Sequence, residues 1–266
     1  MIARIFAFLI SLSPKIKKYL WKTWYQILAR SKKDSNWKFM NYGFVDSNEL
    51  KLEKEDEPDR ESIQLYNYVA TRVDVKNKII LEVGSGRGGG ANYVARYLQP
   101  IEIVGIDLSP NAVELSQKFY NLKNLNFAVG DSENIPFSDN YFDVVLNVES
   151  SHCYASMEKF LKEVKRVLKP SGFFTWADLD DAKNIRFDSA VFKIEGMKII
   201  EEKNITQNVL AGLDAMSSTR ENAIENFAPN FIKKAIKTFA GVKGTEIYNG
   251  FKNGNLIYLS KVLQKI

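Results

Sequence analysis

The chain has 266 residues, of which 45% are hydrophobic and 26% are charged, a composition typical of a globular protein with a sizeable core. This length suits one large α/β domain and is too short for two full-sized domains with separate cores. With one cysteine and one histidine, the sequence excludes an internal disulfide framework, a multi-cysteine zinc site and a histidine-rich metal site. We therefore expect no bound metal.

The net charge of +5 is unevenly distributed along the chain. Residues 1–38 carry nine basic side chains and one acidic side chain, a charge of +8, so the remaining residues carry −3. Because nucleic-acid binding requires a basic face at the binding site, the body of the chain is not expected to bind nucleic acid.

The first 38 residues are predicted to form a basic amphipathic arm. Residues 2–12 are almost wholly apolar, but this run is far shorter than the roughly 20 residues that cross a bilayer. It also lacks a basic n-region, so we do not expect a cleaved signal peptide. After Pro14, apolar residues and lysines recur at helical spacing on different sides. Two interpretations stay open: residues 1–30 contact a membrane surface, or this helix packs on the domain.

Residues 39–266 are predicted to form one α/β domain. Short apolar runs alternate with helical patterns, which predicts a doubly wound, mostly parallel sheet of seven strands. The predicted strands span residues 79–83, 102–107, 125–130, 142–148, 173–179, 197–205 and 255–263, and the helices between them span 59–73, 90–98, 110–121 and 156–168. Residues 206–240 are helical in pattern and too long for a plain connection, so we expect a lid over the strand ends.

A glycine-rich loop, EVGSGRGGG at residues 82–90, follows the first predicted strand. Glycines allow a tight turn and a close approach to a ligand at the start of a helix. Glu82 suits a ligand ammonium group, and Asp107 at the end of the second strand suits both hydroxyls of a ribose. Nicotinamide-binding domains share this arrangement. The discriminating feature is Asp131, after the third strand, which can accept a hydrogen bond from an adenine amino group.

Taken in this order, these motifs resemble those of class I S-adenosylmethionine (SAM)-dependent methyltransferases. Further segments are similar to the phthiotriolone and phenolphthiotriolone dimycocerosate methyltransferases and related natural-product O-methyltransferases: FMNYGF at 39–44, DEP at 56–58, NVESSHCY at 147–154 and ADL at 177–179. The resemblance implies a Rossmann-like fold with N-terminal helices, SAM as the cofactor and a small-molecule acceptor. The candidate SAM-binding residues are Tyr42, Glu82, Gly84, Ser85, Gly86, Gly88, Asp107, Leu108, Gly130, Asp131, Ser132 and Asn147.

Three residues near the ends of the fourth and fifth predicted strands are candidates for catalysis. An acceptor hydroxyl must lose its proton to attack a sulfonium methyl group, and a histidine can take that proton. His152 is therefore the predicted general base, and Asp178 would hold its imidazole or bind the acceptor hydroxyl. Glu149 is a second candidate base or a hydrogen-bonding partner of the loop. The alternative for His152 is a side chain that only lines or caps the loop. Asp178, Asp180 and Asp181 are expected to start a solvated loop, with metal binding by this carboxylate cluster as a minor alternative.

The candidate base predicts O-methylation of a hydroxyl, and the family resemblance implies a small, apolar, lipid-like or polyketide-like acceptor. The enzyme is expected to be cytoplasmic, with or without peripheral membrane contact. Two alternatives stay open. One is C-methylation of a sterol or isoprenoid lipid, since such enzymes share the SAM motifs. The other is a non-catalytic SAM-binding membrane adaptor. The sequence does not predict an oligomeric state.

Overall fold

The computed structural model describes residues 37–227 and 230–266, together with positions 13, 16, 19, 20 and 23. The predicted basic arm, and with it the membrane-contact interpretation of residues 1–30, falls almost entirely outside the described residues. Within the described part of the chain, no helix has the length and apolar character needed to cross a bilayer.

Among the described residues, seven strands and seven α-helices have defined bounds. The strands are β1 (Ile79–Val83), β2 (Glu102–Asp107), β3 (Leu125–Val129), β4 (Phe142–Val148), β5 (Leu168–Asp181), β6 (Met197–Asn204) and β7 (Leu256–Lys265). The helices are α1 (Arg60–Ala70), α2 (Gly89–Tyr97), α3 (Pro110–Phe119), α4 (Met157–Val167), α5 (Thr206–Phe227), α6 (Asn230–Phe239) and α7 (Glu246–Lys252). Short 3-10 helices span Glu57–Asp59 and Ser151–Cys153.

The seven strands form one sheet in the order β3-β2-β1-β4-β5-β7-β6. All neighbouring pairs are parallel except those of β7, which runs antiparallel to both β5 and β6. The predicted seven-stranded, mostly parallel Rossmann-like sheet is therefore confirmed. The chain first builds outward from β1 to β3 and then returns to the other side of β1 with β4. Ligands bind at such a switch point, beside the carboxyl ends of the central strands.

Hydrophobic side chains cover both faces of the sheet. Successive residues of a strand point to opposite faces, so Ile80 packs in one core cluster with helix residues such as Leu65 and Val94. Leu81 packs in the other cluster, with Phe160 and Val164 of α4. Both faces of β1 are thus buried, which fixes the position of the loop that follows it.

The predicted boundaries differ from the structure mainly at β5. This strand starts at Leu168, five residues before the predicted start, because Leu168 already pairs with Phe142. The strand pairing changes register after this pair, and Val144 pairs with Phe173. Ser171, which lies between Leu168 and Phe173 in β5, has a φ of 63°. The Pro170-Ser171-Gly172 segment, which the prediction left between a helix and a strand, is therefore an irregularity within the strand.

Helices α5 and α6 occupy the segment that was predicted to be a lid. Helix α5 packs directly against the backbone at Gly43, in the segment before α1. A Cβ atom added to Gly212 of α5 would lie 2.7 Å from the carbonyl carbon of Gly43. Arg220 of α5 donates hydrogen bonds to the carbonyl oxygens of Asn41 and Ala240. These contacts hold α5 beside the ligand-binding edge of the sheet, and its role as a lid stays a prediction.

Candidate active site

A cleft lies at the carboxyl ends of β1 to β4 and encloses about 1000 Å³, counting the solvent at its mouth. Its walls come from separate parts of the sequence: residues 38–41, 83–87, 89–90, 107–109, 130–133, 148–150 and 153–155 contribute side chains or backbone. Of the predicted SAM-binding residues, the cleft is lined by Gly84, Ser85, Gly86, Asp107, Leu108, Gly130, Asp131 and Ser132.

The glycine loop lines the cleft because its backbone adopts conformations that other residues disfavour. Gly84 and Gly86 have φ values of 77° and 54°, in the left-handed region. A Cβ atom on Gly84 would lie 2.5 Å from the hydroxyl of Ser150, so only glycine allows β1 and β4 to end this close together. Gly88, in contrast, does not line the cleft: it precedes α2, and its missing Cβ makes room for the ring of Phe127.

Asp107 sits at the end of β2 with its carboxylate in the cleft. One oxygen accepts from the backbone N–H of Gly86 at 2.9 Å and the other from that of Ser109 at 2.8 Å. Burial raises the pKa of Asp107 to about 6, against these two hydrogen bonds, which lower it. Each carboxylate oxygen can accept more than one hydrogen bond, so the group can still bind two ligand hydroxyls.

Three predicted SAM-binding residues lie behind the cleft wall rather than in it. Glu82 is 1% exposed and accepts from the hydroxyl of Tyr66 at 2.8 Å; burial raises its pKa to about 7. The amide nitrogen of Asn147 donates to the carbonyl oxygen of Val83. The backbone N–H of Tyr42 donates to the carboxylate of Glu149. In the structure these residues support the loop and strand ends that form the wall.

His152 and Asp178 form a hydrogen-bonded pair at the ends of β4 and β5. The imidazole Nδ1 lies 2.8 Å from Oδ1 of Asp178, whose other oxygen accepts from the hydroxyl of Ser151 and the backbone N–H of His152. Burial alone would lower the pKa of His152, but the Asp178 carboxylate outweighs it and raises this pKa well above 6.5. The imidazole is 15% exposed and Asp178 is fully buried. His152 does not itself line the cleft, but Cys153 beside it does.

Glu149 is the predicted catalytic residue that lines the cleft directly. It follows the last residue of β4 with a φ of 49°, which is uncommon for a residue with a side chain. Its carboxyl accepts from the backbone N–H of Tyr42 and from the hydroxyl of Tyr258, each at 2.9 Å. Burial raises the pKa of Glu149 to about 8.

The expectation of a solvated loop at the end of β5 was wrong for two of its three aspartates. Asp178 and Asp180 are 0% and 1% exposed. Asp180 accepts from the backbone N–H of Phe187 and from Arg186, so it fastens the following segment to the strand. Only Asp181 is exposed.

Several residues of the site were not predicted from the sequence. Tyr258 lies in the last strand, 109 residues from Glu149, and only the pairing of β7 with β5 brings the two together. Lining residues Phe39 and Met40 fall in a segment that the family resemblance marked, which was the available signal.

The cleft fits SAM. Asp107 offers a carboxylate for ribose hydroxyls, and Asp131 lines the cleft after β3. The hydroxyl of Ser85 is buried in the cleft wall without a hydrogen-bond partner among the described residues, which a polar ligand at the glycine loop would supply. The missing side chains of Gly84 and Gly86 leave the loop backbone accessible to that ligand.

Comparison with known proteins agrees with this fit. Residues 81–176 match a family model described as a methyltransferase domain. The chain is 38% identical over 248 residues to a phthiotriol/phenolphthiotriol dimycocerosates methyltransferase of Mycobacterium tuberculosis, covering 92% of each chain. It is 34% identical over 230 residues to a fatty-acid O-methyltransferase of Mycolicibacterium smegmatis, covering 86% of this chain and 84% of that one.

Solved structures show the same fold at low sequence identity. A geranyl diphosphate C-methyltransferase from Streptomyces coelicolor, solved with S-adenosylhomocysteine (SAH), has a TM-score of 0.65 at 16% identity and covers 91% of this chain and 98% of its own. A putative sarcosine dimethylglycine methyltransferase from Galdieria sulphuraria has a TM-score of 0.70 at 16% identity, covering 86% of this chain and 94% of its own. The chain belongs to the class I SAM-dependent methyltransferases, and SAM is its cofactor.

Proposed function

We propose that this enzyme methylates an oxygen atom of a lipid-like acceptor, with His152 as the general base. The observation that carries this proposal is the 2.8 Å contact between the imidazole Nδ1 of His152 and the buried carboxylate of Asp178. When Nδ1–H donates to Asp178, the lone pair of the ring lies on Nε2, the nitrogen that would take the acceptor proton. The 3-10 helix that carries His152 also places Cys153 in the cleft wall.

SAM supplies an electrophilic methyl group, so the protein has to orient the acceptor and remove its proton. Asp178 orients the imidazole and stabilises the imidazolium that forms when the proton is transferred. Ser151 and the backbone N–H of His152 fix Asp178 in turn. Holding base, acceptor and cofactor in one site removes the entropic cost of bringing them together.

The names of the relatives support an acceptor of lipid character. One is named for phthiotriol dimycocerosates and another for fatty acids, and both align with most of this chain. Hydroxylated long-chain lipids are therefore the first acceptors to assay.

The test is to compare wild type with His152→Ala on a panel of long-chain alcohols, diols and their unsaturated counterparts. We expect oxygen methylation by wild type and a loss of turnover of about 10²–10⁴-fold in the variant. SAM affinity, measured by calorimetry, should stay the same. A variant that keeps most of its turnover would refute the role of His152. Methylation of the unsaturated lipids would support C-methylation instead, and SAM binding without turnover of any acceptor would support an adaptor.

A second candidate, methylation of a fatty-acid carboxylate, is favoured by the raised pKa of His152. A carboxylate needs no base, and a protonated imidazole would bind it as a cation. The pH dependence separates the two reactions. Hydroxyl methylation should rise as pH increases through the pKa of His152, whereas carboxylate methylation should fall over the same range.

A further inference from the structure

The carboxyl group of Glu149 is buried in the wall of the cofactor cleft, and the proposed reaction does not use it. Two hydrogen bonds hold this group from two sides. The backbone N–H of Tyr42, in the segment before α1, and the hydroxyl of Tyr258, in β7, each donate to it at 2.9 Å. The backbone N–H of Glu149 donates to the carbonyl of Ala177, which fixes the unusual φ of 49°. The side chain is therefore held in place before any ligand binds.

The surroundings of Glu149 favour the protonated acid. Burial is the main cause of its raised pKa of about 8, and the nearby carboxylate of Asp178 adds to it. His152 and the two hydrogen bonds oppose this but do not cancel it. The titratable and charged groups that interact with Glu149 are Tyr42, Tyr66, His152, Asp178, Arg220 and Tyr258. At neutral pH the acid is mostly uncharged, so a change in charge inside the cleft would change its ionisation.

We propose that Glu149 responds to the charge of the cofactor. It gives up its proton when SAM binds, because the sulfur of SAM is a cationic sulfonium, and it keeps its proton when SAH binds, because the sulfur of SAH is uncharged. The inference rests on the SAM cleft alone and not on oxygen methylation. A carboxylate at this place in the cleft wall would attract the sulfonium charge and strengthen SAM binding, whereas SAH would leave the acid protonated. Glu149 would thereby favour the substrate cofactor over the product and help SAH to leave after methyl transfer. The released proton goes to the solvent.

The expected magnitude follows from general electrostatics. An opposite charge within about 4–6 Å lowers the pKa of a carboxyl group by about one to three units. With a decrease of about 1.5 units, SAM binding would release about 0.7 proton more than SAH binding near pH 7.2, and about 0.1 at pH 5.5 or 9. The affinity for SAM relative to SAH would rise on the order of tenfold between pH 6.5 and 8.5. The relative affinity for SAM rises with pH because the SAM complex binds fewer protons than the SAH complex.

The comparison of SAM with SAH separates Glu149 from the other buried acids of the site. Asp107 and Glu82 also have raised pKa values, of about 6 and 7, and they could release protons on ligand binding. SAM and SAH share the ribose and the ammonium group that these two acids are predicted to contact. The sulfonium charge is what differs, so the difference in proton release reports on the group that responds to it.

The experiment is calorimetry of SAM and SAH binding to the full chain in two buffers of different ionisation enthalpy, from pH 5.5 to 9. We expect the excess proton release with SAM in wild type and none in Glu149→Gln. Glu133→Gln is the matched control, since Glu133 also lines the cleft but accepts from the backbone of Ala155 and Ser156. It should keep the excess.

Tyr258→Phe provides an independent test that keeps the carboxyl group. The hydroxyl of Tyr258 lowers the pKa of Glu149, so its removal should move the pH range of the excess release upward. Equal proton release with SAM and SAH in wild type would overturn the proposal, as would an excess that persists in Glu149→Gln. Absence of SAM binding to wild type would overturn the cofactor assignment and this proposal together. Absence of oxygen methylation would affect neither.

Discussion

The substitution Asp178→Asn tests the His152–Asp178 pair most directly. Each carboxylate oxygen of Asp178 accepts two hydrogen bonds: Oδ1 from His152 Nδ1 and Leu179 N–H, and Oδ2 from Ser151 O–H and His152 N–H. An amide has one accepting oxygen, so in either orientation its NH₂ group faces two donors. With about 1–3 kcal/mol for each of the two buried donors left unsatisfied, the free energy of unfolding should fall by about 2–6 kcal/mol.

The effect on catalysis has a distinct pH signature. Loss of a correctly oriented base should reduce kcat with a hydroxylated acceptor by about 10²-fold or more. At the same time the negative charge that raises the pKa of His152 disappears, so the acidic limb of the pH–rate profile should move to lower pH. A lower plateau combined with a shifted limb distinguishes this effect from partial unfolding, which would lower the rate without moving the limb.

The matched control is Asp180→Asn. Asp180 is also buried in β5 and accepts from Phe187 N–H and Arg186, but it has no contact with His152 among the described hydrogen bonds. It should lose stability without the catalytic signature. The assay is steady-state kinetics from pH 5.5 to 9 together with denaturant unfolding. Wild-type kcat and an unshifted limb in Asp178→Asn would refute the reasoning.

Three further predictions concern the cleft and its surroundings. Gly84→Ala should weaken SAM binding by tenfold or more in calorimetry, because its Cβ meets Ser150 at 2.5 Å; Gly254→Ala, with a similar φ of 70° and open space around it, should not. SAM affinity of wild type should fall as pH drops through about 6, because Asp107 must be ionised to accept both ribose hydroxyls, and Asp107→Ala should bind weakly at every pH. Arg220→Met should lower Tm by about 3–8 °C, because the carbonyls of Asn41 and Ala240 lose their donor, whereas exposed Lys234→Met should not. An unchanged Tm in Arg220→Met would mean that α5 is held by apolar contacts alone.

The sequence was sufficient for features that depend on a strand and the loop directly after it. Gly84, Gly86 and Asp107 could be placed at the cleft because a buried strand followed by a glycine or an acid puts that residue at the carboxyl edge of a parallel sheet; their contacts with SAM stay a prediction. Glu82 was assigned to the ligand by the same rule, but its side chain points from the strand toward α1, where Tyr66 meets it. The alternation of side chains along a strand determines the face of the sheet to which Glu82 points. Its partner Tyr66 could not be predicted, because the position of α1 against the sheet depends on contacts between distant parts of the chain.

The antiparallel direction of β7 explains why the site includes a residue near the end of the chain. Since β7 enters the sheet opposite to β5, its first residues lie beside the last residues of β5, and Tyr258 pairs with Leu179 directly after Asp178. A parallel last strand would bring its final residues to this edge instead. The reversal thus places the hydroxyl of Tyr258 against Glu149 at the end of β4, where Tyr42 N–H meets it from the other side. Arg220 binds the carbonyl of Asn41, which belongs to the same peptide group as the N–H of Tyr42, so α5 acts on the Glu149 carboxyl through that peptide group. Strand β7 acts on it directly through Tyr258. Displacing α5 should therefore change the ionisation of Glu149 before it changes the sheet, and Arg220→Met offers a way to observe this as a shift in the pH range of SAM-linked proton release.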